Sequence, residues 1–165
     1  MNTAHWHLLL NHVPIIGILI GLLTGIASFI FKDISMRKTA LGIFVFAAAM
    51  AIPVYLTGEG AEETVENLPG VNDQVLDKHE DLASVFIWMI SALGVVALSA
   101  IIFEFYNSKL AMVIFNLTFI LAVVAIISAQ QLGISGGEIR HTEIRSSSPQ
   151  TDGAMNDDDG GQPPK

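Results

Sequence analysis

Apolar positions in this chain come in long unbroken runs, without the mixed period of a surface helix. Four runs, 14–31, 39–57, 82–105 and 110–129, are separated by polar stretches. Each has roughly the 17–25 residues that cross a hydrocarbon core at about 1.5 Å per residue. Inside them no charge occurs apart from Glu104 at an end. The pattern predicts an all-α fold, a bundle of four transmembrane helices, and a lipid bilayer as its surroundings. The first run resembles a secretory signal only superficially. Its flank, 1–12, has no Lys or Arg, and the run outlasts a usual h-region of about 7–15 residues. It is expected to be retained.

Composition sharpens this picture. Of 165 residues, 52% are apolar and 15% charged, against about 25% charged in soluble domains. There is no cysteine, which excludes disulfides, thiolate metal sites, iron–sulfur clusters and covalent c-type haem attachment. The net charge of −8 argues against nucleic-acid binding. Its distribution predicts orientation. Lys32, Arg37 and Lys38 fill the first connection and Lys109 the third, whereas the second, 58–81, sets eight carboxylates against Lys78 alone. Cations near span ends favour the cytoplasm. Both termini and the acidic connection are therefore expected outside, in the periplasm if the membrane is a bacterial inner membrane. Arg140 and Arg145, after the fourth run, count weakly against this.

The connections carry their own signals. Gly17, Gly21 and Gly25 form a stripe that lets another helix approach closely, either inside the bundle or in a homodimer. Ala47, Ala48, Ala49 and Ala51 suit the same approach, and Pro53 should kink the second span. Glu59, Glu62, Glu63 and Glu66 fall on one face of a predicted short helix over 59–67. Pro69-Gly70 should end that helix, and 73–81 should lead helically into the third span. Gly133, Gly136 and Gly137 are expected to interrupt the last helix. A short ordered segment, 138–144, would then fold back over the bundle. The domain organisation is thus a membrane domain, 1–145, followed by a disordered acidic tail, 146–165.

Candidate chemistry lies at one membrane face. His5, His7, His12, His79 and His141 all sit at or beyond the same ends of the runs. Asn11 is a natural N-cap for a helix entered through Pro14. If 3–13 is helical, His5 and His12 share a face. The bland reading makes Trp6 and the histidines interfacial anchors, and His79 and His141 solvated surface residues. The sharper reading makes His12, His79 and His141 cofactor ligands. His5, His7, Glu59, Glu62, Glu63 and Glu80 then complete or support a site for zinc, iron, copper or manganese. A b-type haem is the other candidate, since histidines in four-helix bundles readily hold one. No histidine lies in the opposite halves of the spans, so only one haem, near the histidine face, is compatible. In a straight helix His12 points away from the Gly17 stripe, which counts against it as the haem ligand. Transport lacks the mid-span charge it usually requires. An enzyme lacks a nucleophile–base pair and the His-Glu-x-x-His motif.

His7-Leu8-Leu9-Leu10-Asn11-His12-Val13-Pro14-Ile15 resembles the opening of a bacterial four-span membrane family of unknown function. Its members begin with His and then His-Phe-Pro-Ile, and close with Gly-Gly, which Gly136-Gly137 resembles. Here Val13 replaces the aromatic, and Glu138-Ile139-Arg140-His141 replaces the usual aliphatic and tyrosine ending. The resemblance covers about 7–144 and implies the fold and location, without an activity. In outline it is also similar to small membrane b-type cytochromes, which implies haem. The expected function is that of a membrane protein with an external His/carboxylate site and a redox-accessory role. The alternative is an assembly subunit that binds a membrane or periplasmic protein and no cofactor.

Overall fold

Local capping sets where each helix begins. The computed structural model describes residues 3–66 and 71–141. Its helices are α1 (Thr3–Leu10), α2 (His12–Phe31), α3 (Ile34–Val65), α4 (Asp73–Phe103) and α5 (Ser108–Arg140). Asp33 accepts from the amides of Ser35 and Met36, Asn72 from Gln74, and Asn107 from Lys109 and Leu110. Each Asx side chain satisfies donors that the first helical turn leaves without a partner. Between α2 and α3 the chain reverses through Lys32 in the left-handed region, φ 53°, its amide bound to the Ser28 carbonyl.

No strand occurs among the described residues, and four helical stretches are long and apolar enough to cross a membrane. The chain is a multi-pass integral membrane protein with an all-α bundle. Its helices pack in the ring α2–α3–α4–α5, with α2 and α4 diagonally opposed. Inside, Phe44, Phe115, Ile18, Leu41, Ile90 and Leu93 are fully buried among alanines from α3, α4 and α5. Outside, Leu23, Ile30, Phe46, Leu56, Val95, Ile120 and Ile127 are exposed. So much outward apolar surface, on every helix, is what lipid requires and water penalises. At 32 residues, α3 is about 48 Å long against a hydrocarbon core of about 30 Å, so its polar end must project beyond the core.

The glycine stripe is used within the chain. A methyl group on Gly17 would meet Ala47 at 2.8 Å, and one on Gly25 would meet Phe119 at 3.0 Å. Gly21 would strike the Phe44 ring. These positions let α2 lie close to α3 and α5.

Three local expectations are corrected. Asn11 has helical backbone angles, its side chain caps nothing, and its buried Oδ1 has no hydrogen-bond partner. The helix simply continues from α1, so no amide is left for it to cap. The short acidic helix of 59–67 is, as far as Val65, the end of α3, which passes through Pro53. Most importantly, α5 runs unbroken to Arg140 through Gly133, Gly136 and Gly137. Residues 138–140 therefore extend the last helix instead of folding back. Glycine is a poor helix former but not a forbidden one, and packed membrane helices tolerate it. Pro69-Gly70, 142–144 and the tail 146–165 lie outside the described residues.

This continuity is testable. Nothing lies within 4 Å of a methyl group built on Gly133. Gly133→Ala should therefore raise stability by about 0.5–1 kcal/mol, the usual helical gain from removing glycine's backbone freedom. Reversible unfolding in mixed micelles measures it, and a loss of stability would show that the helix breaks there.

Candidate functional site

The polar end of the bundle is assembled around glycines. Gly60 of α3 receives the Thr3 side chain, and Gly58 lies 3.8 Å, from its built methyl position, to the His7 ring. With no side chain at 58 or 60, α1 can lie along α3. On α5 the same device appears at Gly136, whose built methyl position is 3.1 Å from the His79 ring. The glycines predicted to break α5 instead make room for an imidazole.

Two histidines are fixed by this packing. His7 Nδ1 lies 3.0 Å from the Val54 carbonyl, which can only accept, so Nδ1 carries the proton. Thr57 stands 3.4 Å from the same nitrogen and spends its own proton on the Pro53 or Val54 carbonyl. On the other side, His79 Nδ1 lies 2.9 Å from Ser135 Oγ. Ser135 donates to the Leu132 carbonyl at 2.9 Å, which leaves its oxygen able to accept from His79 Nδ1. Both rings are thus held through Nδ1, which leaves Nε2 as the nitrogen that could ligate a metal. Lys78 and Glu138, 3.1 Å apart, tie α4 to α5 beside His79.

The two rings also sense each other. His79 lies ahead of the apolar run of α4, outside the membrane-spanning part. Burial first, and then the charge of a protonated His7, push its pKa below the usual histidine value, against a smaller opposing effect of the Leu132 carbonyl. Neutral imidazole is thus favoured at the position best placed to ligate. His7 comes from α1 and His79 from α4, and α3 packs against both. Among the described residues α1 packs only on α2 and α3 and makes no close approach to α4 or α5.

The remaining candidates fall elsewhere. His5 and His12 are both exposed, on the shared face expected of a helical 3–13. His141 is exposed at the end of α5, its amide bound to the Gly137 carbonyl. Glu59, Glu63 and Glu80 are exposed, and Glu62 is half-buried. Glu62, also beyond the apolar run, has its pKa raised by burial and then by Glu80, Glu66, Asp77 and Glu59. The carboxylates of α3 and α4 therefore face one another. Among the described residues no three of His, Asp and Glu come together in a group able to hold a metal ion.

Sequence reasoning gave His7 no special place, yet a signal existed. His7, Pro14, Gly21 and Ser28 recur every seven residues, and the last three are buried. Continuing that stripe back through a helical N-terminus points His7 into the bundle. Ser135 and Thr57 carried no comparable signal. No protein-family model, curated protein or solved structure matches the chain.

Proposed function

We propose that this protein is a membrane haem protein, holding one b-type haem between His7 and His79 at the histidine end of the bundle. The observation that supports this reading most is the pair itself: two imidazoles, each bound through Nδ1, from α1 and α4 and near enough for the charge of one to act on the other. A metal ion held by side chains needs three or four ligands together, whereas haem needs two axial ones. His7 and His79 would be those two. Bound there by His7 and His79, a haem would supply one-electron transfer. Val54 and Ser135 would keep each ring oriented and raise its basicity. The positive-inside argument assigns this end to the periplasmic side of a bacterial inner membrane. There the protein would pass electrons to or from a partner, a redox-accessory role.

The test is reconstitution with haemin in mild detergent. Expected are stoichiometric iron and a Soret band with a low-spin, six-coordinate spectrum. That spectrum should be lost in His7→Ala and in His79→Ala, and kept in His12→Ala and His141→Ala. Retention of the spectrum in either of the first two variants would refute the ligand pair. A second reading, an assembly subunit without cofactor, draws support from the facing carboxylates around Glu62. A colourless, metal-free protein that co-purifies with another subunit would favour it.

A further inference from the structure

The opposite end of the bundle holds a different kind of site. A cavity of about 370 Å³ lies beside the reversal between α2 and α3, against α5. Phe29, Ile34, Met112 and Phe115 give it an apolar lining, and Lys32 and Arg37 give it cations. Arg37 is 7% exposed. Its Nη2 binds Glu104 and its Nη1 approaches Met112 Sδ at 3.7 Å. The guanidinium carbon stands 6.0 Å above the Phe115 ring. Its Nε is buried with no hydrogen-bond partner. A buried charge-bearing donor without an acceptor is costly and calls for an anion or another acceptor.

The other polar groups lining the cavity are already engaged. Asp33 accepts two amides of the first turn of α3, and Ser28 donates to the Gly25 carbonyl. Asp33 keeps its negative charge, so the cations Lys32 and Arg37 outnumber it by one in the lining. Lys38 and Lys109 lie at the same end, so four cations (Lys32, Arg37, Lys38, Lys109) stand against two acids, Asp33 and Glu104. A recess with apolar walls and two cations, at the ends of the membrane helices beside their polar connection, suits an amphiphile carrying a phosphate.

We propose that this cavity binds an anionic phospholipid, its phosphate toward Lys32 and Arg37 Nε and its first acyl carbons against Phe29, Ile34, Met112 and Phe115. Free phosphate would satisfy the donors but leave the apolar walls unfilled, and a zwitterionic lipid would fill the walls but weaken the charge match. The site is independent of the haem reading, which concerns the other end.

Two variants test it without touching the Arg37–Glu104 pair. Lys32→Asn removes the cation and suits the left-handed backbone at that position. Ile34→Glu adds a negative charge in the first turn of α3, where a helix accepts one. Lys109→Gln, outside the cavity, is the control. Native mass spectrometry of the detergent-solubilised protein, titrated with phosphatidylglycerol or phosphatidylcholine, reads lipid retained. Phosphatidylglycerol should be retained preferentially, and each cavity variant should weaken it about fivefold, as loss of one cation near a lipid headgroup implies. Lys109→Gln should change it far less. Equal retention of the two lipids, or an unchanged preference in both cavity variants, overturns the proposal. So does an equal rise in melting temperature with inorganic phosphate alone, which would mean a simple anion site.

Discussion

Glu104→Ala should lower stability by about 3–5 kcal/mol, the usual cost of leaving one member of a buried ion pair without its partner. The side chains of Arg37 and Glu104 are 9% and 6% exposed, so neither charge is well solvated once alone. Without Glu104, Arg37 keeps only Met112 Sδ and the face of Phe115. The reciprocal Arg37→Ala strands the carboxylate in the same way. The double variant Arg37→Met/Glu104→Leu replaces both by apolar groups of similar length. It should fall within about 1 kcal/mol of the unaltered protein or exceed it, because the desolvation of both charges is then avoided. Unfolding of all four proteins in mixed micelles yields the coupling energy. Single losses below about 1 kcal/mol would mean that the pair behaves as an exposed one.

That pair shows what was and was not legible in the chain. Arg37 read only as one of the cations that orient the protein, and Glu104 only as an acid at the end of a span. Both roles follow from one-dimensional position. Their pairing depends on the start of α3 meeting the end of α4, which no local pattern encodes. The spans themselves were legible because lipid demands long apolar runs, and such runs leave no ambiguity about helix. Glycine was the ambiguous letter. Gly17, Gly21 and Gly25 read correctly as a close-approach stripe because a period accompanied them. Gly133, Gly136 and Gly137 read as breakers because they followed Gln130-Gln131 and preceded charges. Missing side chains permit both a turn and a close contact, and only the neighbour decides. At Gly136 the neighbour is His79. His79 was legible as a histidine among acids ahead of a span. His7 was obscured by the question of whether 3–13 is helical, because a break at Asn11 would have turned it elsewhere.

Gly94→Ala should cost about 1–3 kcal/mol, the range for overfilling a packed interior. A methyl group at Gly94 would collide with the Ala48 methyl. The obstacle is a Cβ, with no rotamer to change, so α3 and α4 would have to separate. Adding Ala48→Gly moves the methyl from one helix to the other and removes the clash. The change in helix propensity nearly cancels, since one glycine is lost and one gained, and the double variant should return close to the starting stability. Gly42→Ala, where nothing lies within 4 Å, should be neutral or slightly stabilising, which separates packing from propensity. The effect should also reach the histidine end. His7 is seated on α3 through Val54, and His79 is carried by α4. The spacing that Gly94 and Ala48 allow is therefore part of what sets the distance between the rings. Haemin affinity should fall in Gly94→Ala and recover in the Ala48→Gly background. If affinity instead tracked neither variant while stability tracked both, the two ends of the α3–α4 contact would be mechanically independent, and the ring separation would have to be set by α1 and α5 alone.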